Sequence, residues 1–417
     1  MPVVTSCEVR EEYLESLDAL PRLLHECDGK CSVIARFGGK WFDAIGNVIC
    51  NRGALYNLLG ARKDSEAYAK LLEAMNEASS AKLREESFSE WFEKADASVA
   101  ERLPATRFYD CDGGPYLTGG VIIACVDNVC NASIHRIMRV GKGVYGVRVV
   151  PRHLHALLER KRPLPVAIVF GADPRVELAS ACSPPLGVFE LGVAVRLGWS
   201  GRVCKTPLYG IPVSCDAGVV VEGLLGEQLV EEGPFTDILL LCDEKRLQPS
   251  FRPQAVYLNK VTERFVWQIL PGSEEHRLLM GFPREASIWD SVRRATGKEP
   301  IVRLTKGGGG WLNAVIAFDK IDDALARLAG IAAIAGHPSV KNVIVTTADV
   351  NIDDPVDVEW AVATRVQHDH DVIVIRGVRG STLDPSGSEG VGTKTVIVAI
   401  PKGDKSKFLK PKLLGSK

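Results

Sequence analysis

No apolar run in this chain approaches the roughly 18 to 20 residues a membrane helix needs, so membrane insertion is not expected. The opening residues, MPVVTSCEVREEYLESL, turn acidic at once and offer no h-region, so no signal peptide is expected either. Charge of one sign is also missing. Lys and Arg number 51 against 52 Asp and Glu, and a net charge of −1 gives no overall pull toward nucleic acid or an anionic membrane. The 11 cysteines, scattered from Cys7 to Cys242, include no CxxC and no paired knuckle. Cys27 and Cys31 form a CxxxC, and Cys125 and Cys130 lie five apart. That pattern suits small buried thiols in a reducing cytoplasm better than a zinc site. Internal repeats and low-complexity linkers are absent, which leaves domain boundaries soft.

What is present is ordinary globular material. A chain of 417 residues, 46% apolar and 25% charged, can bury two or three cores. Three textures succeed one another. Residues 1–102 mix short strands (SVIARF, WFDAIGNVI) with helical stretches such as SEAYAKLLEAMNEASSAKLREE, which reads as an N-terminal α/β domain. Residues 103–275 run strand, turn, strand, from YLTGGVIIACVD through HRIMRVGKGVYGVRVV to QAVYLNKVTERFVWQIL. GKG supplies a hairpin turn there, and Gly and Pro punctuate every ten or so residues, as in a barrel or closed sheet. Residues 276–417 alternate helix and strand, which argues for an α/β domain with a largely parallel sheet.

Several stretches could carry chemistry. KGGGGW at 306–311 has the consecutive glycines of a phosphate cradle but lacks GK[ST], so a turn is expected, with ATP binding as a remote alternative. TADVNIDDPVDVEWAVA at 347–363 places Asp349, Asp353 and Asp354 after a strand, where a metal site could stand. Capping reads better: Asp354 at the N-cap, Pro355 next, Asp357 in the reciprocal place. In NASIHRIMR at 131–139, strand alternation puts Asn131, Ser133 and His135 on one face and Ala132, Ile134 and Arg136 on the other. Periodicity alone makes it a surface strand, a reading that a buried acid cluster in the same sheet would reverse. EEGPFTD at 231–237 crowds Glu231, Glu232 and Asp237 around a Gly-Pro. Such a run is either a solvated loop or a network in which Arg136 holds Glu232 ionised and frees Asp237 to exchange a proton.

Taken in order from about Asn131 to Lys402, these stretches resemble the UbiD family of reversible decarboxylases, which depend on prenylated FMN. NASIHRIM resembles the family's cofactor-binding strand, VVPRHLHALL its helix start, and PVAIVFGADPRVELASA and GVFELGVAVRLG its following segments. EEGPFTD is similar to the family's most specific stretch, and IAAIAGHPSVKNVIVTTADVNIDDPVDVEWAVATRV and SGSEGVGTKTVIVAI follow its C-terminal pattern. The resemblance implies a fold of an N-terminal α/β domain, a split β-barrel holding the flavin (residues 103–275) and a C-terminal α/β oligomerisation domain. It implies that Asn131, His153 and Glu190 bind Mn2+ or Mg2+, with K+ a further candidate. Ala132, Ser133, Ile134, Arg136, Arg152, Ser180 and Lys394 would join those three in holding the cofactor, and Arg136, Glu232 and Asp237 would form the catalytic set. His135, where the family often has alanine or another small residue, is a local departure that bears on the flavin pocket.

The resemblance also implies a flavin prenyltransferase as cofactor supplier, a homodimer or higher homo-oligomer, a cytoplasmic site, and a small unsaturated acid as substrate. Two substrate classes compete. Aromatic acids such as polyprenylated 4-hydroxybenzoate need a wide apolar mouth; trans-anhydromevalonate 5-phosphate needs a compact pocket with a basic phosphate anchor. The compact chain points to the second, with isopentenyl phosphate as product. A flavin-binding module or scaffold without activity stays open, because fold does not fix function. Retention of Arg136, Glu232 and Asp237 together argues against it.

Overall fold

The structure, a computed structural model, describes residues 6–38, 42–388, 390–408 and 410–411. Trp41 of WFDAIGNVI and Glu389 of SGSEGVG lie outside the described residues. The chain divides into two compact units, Met1–Met280 and Gly281–Lys417.

A closed barrel organises the first unit. Six strands follow one another around it: Val219–Glu232, Leu164–Phe170, Tyr116–Val126, Val129–Gly141, Val144–Val147 and Arg246–Asn259, the last pairing back onto the first. Every step of the circuit is antiparallel, so the circuit has no open edge. Local sequence sets the turns. Asp127 and Asn128 take φ of 49° and 66° to join the first two strands in chain order, a backbone that short Asx side chains tolerate. GKG closes the next hairpin as its composition indicates, with Gly141 opposite Val144. Both faces of the sheet are buried, in strict alternation. Ile122, Ile168, Val221 and Val256 enter one apolar cluster, and Val121, Ile123, Val169 and Val220 enter another. The helix His153–Arg160 packs its leucines into the first cluster, while Pro174–Ala181 and Glu190–Arg196 cover the second.

The N-terminal hundred residues share this unit. Their strands Val9–Tyr13, Ser32–Arg36 and Asp43–Gly46 form a sheet completed by Phe265–Trp267, which the chain supplies only after leaving the barrel.

The second unit holds a five-stranded sheet in the order Ile301–Leu304, Asn313–Phe318, Asn342–Thr347, Val391–Ala399, Val372–Arg379. Its inner pairings are parallel, but both edge pairings are antiparallel, so the sheet is more mixed than the alternation indicates. The glycine run explains one edge: the link from Leu304 to Asn313 is too short for a crossover helix. KGGGGW folds as a tight turn, with the Thr305 hydroxyl accepting from Gly308 N.

The aspartates of the stretch 347–363 are spoken for. Asp354 caps Pro355–Arg365 by accepting from Val356 N. Asp349 pairs with Arg365, and Asp353 with Arg303. Asp357 accepts from Asn351 N, six residues upstream, rather than from the N-cap amide.

The cysteines require a correction. Disulfides join Cys7–Cys50, Cys111–Cys242, Cys125–Cys130 and Cys204–Cys215; Cys27, Cys31 and Cys182 are not in these four pairs. Spacing could not show this, because three of the pairs are brought together by the fold across 43, 131 and 11 residues. Cys125 and Cys130 simply face each other across the barrel's first hairpin.

Candidate active site

Arg136 sits in the strand Val129–Gly141, and Glu232 ends the strand Val219–Glu232 with 0% of its surface exposed. The guanidinium forks onto this carboxylate, Nε to Oε1 at 2.8 Å and Nη2 to Oε2 at 3.0 Å. Nη2 also reaches Asp243 Oδ2 at 2.9 Å. NASIHRIMR is therefore not a surface strand: a buried acid meets its arginine, and the Phe235 ring lies 4.7 Å beneath the guanidinium carbon. Tyr116 donates its hydroxyl to Glu232 Oε1 at 3.0 Å. Burial, then the neighbouring Glu232, hold that phenol well above its ordinary pKa, so it stays a donor.

A two-stranded hairpin, Phe235–Thr236 against Cys242–Asp243, presents Asp237. Buried Asp112 anchors it, taking Thr236 N on one oxygen and the amides of Phe108 and Tyr109 on the other. Gly233, at φ +97°, lets the chain turn here; a Cβ would lie 2.8 Å from Glu244 O. Asp237 is 7% exposed and accepts Leu239 N and Leu241 N, both on Oδ1, at 2.8 and 3.0 Å. Its Oδ2 has no hydrogen bond among the described residues. Burial raises this carboxyl above the usual aspartate value, against the two backbone bonds and Arg136, which lower it. Asp243 behaves oppositely. Although burial opposes it, the guanidiniums of Arg246 and Arg136 hold it below the usual value. Glu231, the third acid of the run, points outward to Lys245 at 2.9 Å.

A second cluster lies along the same strand. Glu190, first residue of its helix and 1% exposed, accepts Asn131 Nδ2 at 2.8 Å and Ala132 N at 2.7 Å. His153 Nδ1 stands 3.9 Å from Glu190 Oε1. Carboxylate, imidazole and amide thus stand together, the donor types that a divalent cation would take. No Lys or Arg pairs with Glu190 among the described residues. Nor do three or more His, Cys, Asp or Glu converge anywhere among them, so the set depends on the Asn131 amide.

His135 bears on that amide. Its Nδ1 can only donate to the Arg148 carbonyl, 2.9 Å away, and burial pushes its pKa down to about 4. Neutral and protonated on Nδ1, it presents Nε2 as an acceptor to Ser133 Oγ at 2.8 Å. The single Ser133 proton is then drawn from Asn131 Oδ1, 3.0 Å away, leaving that oxygen free to ligate.

The remaining sequence candidates are more dispersed. Ala132 is buried and Ile134 packs against the same apolar cluster. Arg152 is the exposed residue that precedes the helix His153–Arg160, at its N-cap position. Ser180 is buried and its hydroxyl donates to Val176 O of its own helix at 2.8 Å. Lys394 belongs to the second unit. It is 2% exposed, donates to Pro338 O, and is held below the usual lysine pKa by burial.

Residues 79–274 match the family model described as the 3-octaprenyl-4-hydroxybenzoate carboxy-lyase Rift-related domain, and residues 277–399 match the C-terminal domain of the same carboxy-lyase. The chain belongs to the UbiD family. It is 44% identical over 384 residues to a protein of Aeropyrum pernix named anhydromevalonate phosphate decarboxylase, covering 89% of this chain and 85% of the relative. The UbiD-class enzyme HmfF from Pelotomaculum thermopropionicum, solved with FMN, superimposes with a TM-score of 0.88 at 29% identity over 98% of this chain and 95% of that one. An evolved dimeric form of that enzyme, solved with prenylated FMN, gives 0.84 at 27% identity over 98% and 94%.

Within this UbiD-family site, sequence reasoning missed Tyr116, Asp112, Asp243, Arg148 and Arg246. Tyr116 lies 116 residues from Glu232 and Asp243 lies 107 from Arg136, and only barrel closure joins them.

Proposed function

We propose that this chain decarboxylates trans-anhydromevalonate 5-phosphate to isopentenyl phosphate, using prenylated FMN and a divalent cation. The observation that carries the reading is Asp237, a carboxyl with raised proton affinity and one unbonded oxygen beside the Arg136–Glu232 pair. The name carried by the Aeropyrum pernix relative, across most of both chains, supports the phosphorylated acid over an aromatic one.

The residues fit a divalent cation and a flavin. Buried Glu190, with no cationic side chain paired to it, together with Asn131 and His153 offers carboxylate, amide and imidazole donors, which suit Mn2+ or Mg2+. Ala132, Ser133, Ile134, Arg136, Arg152 and Ser180 complete the set we assign to the flavin, with K+ as an accessory ion. When bound, prenylated FMN supplies the electron sink that makes loss of carbon dioxide feasible. The chain's part is positioning and proton handling. Arg136, locked by Glu232, Asp243 and Phe235, keeps a fixed orientation toward the acid. Asp237 holds a proton on Oδ2 and delivers it to the carbon that has lost its carboxyl group. A UbiX-type prenyltransferase would supply the flavin, and we take the working form to be a homo-oligomer with the three-part division at 102 and 275.

No helix among the described residues is long and apolar enough to cross a membrane. We assign the protein to the cytoplasm.

The test is turnover by protein co-produced with a flavin prenyltransferase. Isopentenyl phosphate and carbon dioxide in equal amounts, with prenylated FMN in the mass spectrum of the released small molecule, are expected. A flavin-loaded sample that decarboxylates 4-hydroxybenzoates and ignores the phosphorylated acid would overturn the substrate assignment.

A further inference from the structure

Three consecutive residues hold the hairpin that presents Asp237. Gly113 N donates to Pro234 O at 2.8 Å, and Asp112 Oδ1 accepts Thr236 N at 2.9 Å. Both of these grip the first arm of the hairpin. Cys111 reaches the second arm, through its disulfide to Cys242, the register partner of Thr236. The next residue, Asp243, pairs with Arg136, so the same bond braces an acid that steadies the arginine. Each arm has only two paired residues, too few to keep a hairpin in shape alone.

The tip turns on Leu240, at φ +60°, and the hydrogen bonds of Asp237 run to residues 239–241 within it. Asp237 therefore moves with the tip, and the ties below the tip set where it stands. Accessibility singles out one of those ties. Of the eight cysteines in the four disulfides, Cys242 alone is exposed, while Cys204 and Cys215 are fully buried. A thiolate must reach a sulfur to open a disulfide, so Cys111–Cys242 opens first.

We propose that the Cys111–Cys242 disulfide positions Asp237 for proton delivery, and that a dithiol reductant turns the enzyme down by opening it. This rests on the proton-donor reading of the preceding section. One thiolate of the reductant bonds to Cys242 Sγ, the bond to Cys111 breaks, and Cys111 leaves as a thiolate that takes up a proton. The second thiol then displaces Cys242 as a thiol and closes a disulfide within the reductant. Two electrons and two protons pass to the protein.

The experiment reduces the holoenzyme with dithiothreitol and maps the opened cysteines by alkylation and mass spectrometry, with C111S/C242S run in parallel. Once Cys111 and Cys242 are open, kcat falls on the order of 10-fold with KM little changed, and reoxidation restores it. Amide exchange at Thr236, Leu239 and Leu241 quickens, while the strand Leu164–Phe170 keeps its rate. C111S/C242S starts at the lowered kcat and ignores the reductant, which separates the bond from any effect of dithiol on the flavin. Full kcat with both cysteines open, or hairpin exchange that stays slow, overturns the proposal. If C111S/C242S does not fold, reduction and reoxidation of the parent decide alone. If the hairpin loosens while Asp237→Asn turns over at the parent rate, the hold on the hairpin stands and the proton-donor reading fails.

Discussion

Two acidic runs stand at strand ends in this molecule: EEGPFTD at 231–237 in the barrel and DVNIDDPVD at 349–357 in the second unit. Their compositions are alike and their fates opposite. In the second unit each aspartate has a partner of its own: Arg365 for Asp349, Arg303 for Asp353, and backbone amides for Asp354 and Asp357. Asp353 and Asp354 stay exposed, and nothing converges. In the barrel, Glu232 and Asp243 share one guanidinium, Tyr116 adds a donor, and Asp237 is left buried with an oxygen to spare. Sharing, rather than acidity, separates a site from a set of caps.

Three changes test that contrast. The largest effect is expected from Asp237→Asn, which keeps the shape and removes the exchangeable proton. Turnover should fall ~10³-fold or more while absorbance shows the flavin still bound; undiminished decarboxylation would sink the role. The same variant gives an independent readout. Because the folded pKa is raised, the stability Asp237 lends is complete below the usual aspartate range and is lost as pH rises through the raised value. Chemical denaturation should then show Asp237→Asn gaining on the parent as pH climbs from acid toward neutral.

A smaller loss is expected from Glu190→Gln. Metal affinity should drop on the order of 10–100-fold, and flavin retention should drop with it, read by metal analysis and absorbance of one sample. Loss of one without the other would show that Glu190 serves only one of the two groups. The smallest belongs to the second run. Asp354→Ala removes a cap worth about 1 kcal/mol, lowering the thermal midpoint while turnover stays at the parent's level. A large activity loss there would erase the contrast between the two runs.

What was legible in the sequence follows the range of the interactions. The GKG hairpin, the Asp354 cap and the glycine turn at 306–311 are local, and composition reveals them. Arg136, Glu232 and Asp237 could be set together from composition only as one of two readings of an acidic run, and the family resemblance chose between them. The strand period by itself placed NASIHRIMR on the surface, because no local signal reports a carboxylate 96 residues away. Tyr116, Asp243 and Arg148 lacked even that help. The disulfides were hidden for the same reason, since thiol pairing depends on where backbones meet.

The seam that closes the barrel runs along Val219–Glu232 and Arg246–Asn259, and its last paired residues are Glu232 and Arg246. The register slips between Leu225 and Leu229, so only Leu229 to Glu232 zip the final stretch. Fraying of that short stretch would carry Glu232 off Arg136 long before the barrel as a whole came apart. Amide exchange at residues 229–232 should therefore report how often the enzyme is briefly switched off by its own breathing, and a bound ligand should slow exchange there more than on the hairpin 126–129.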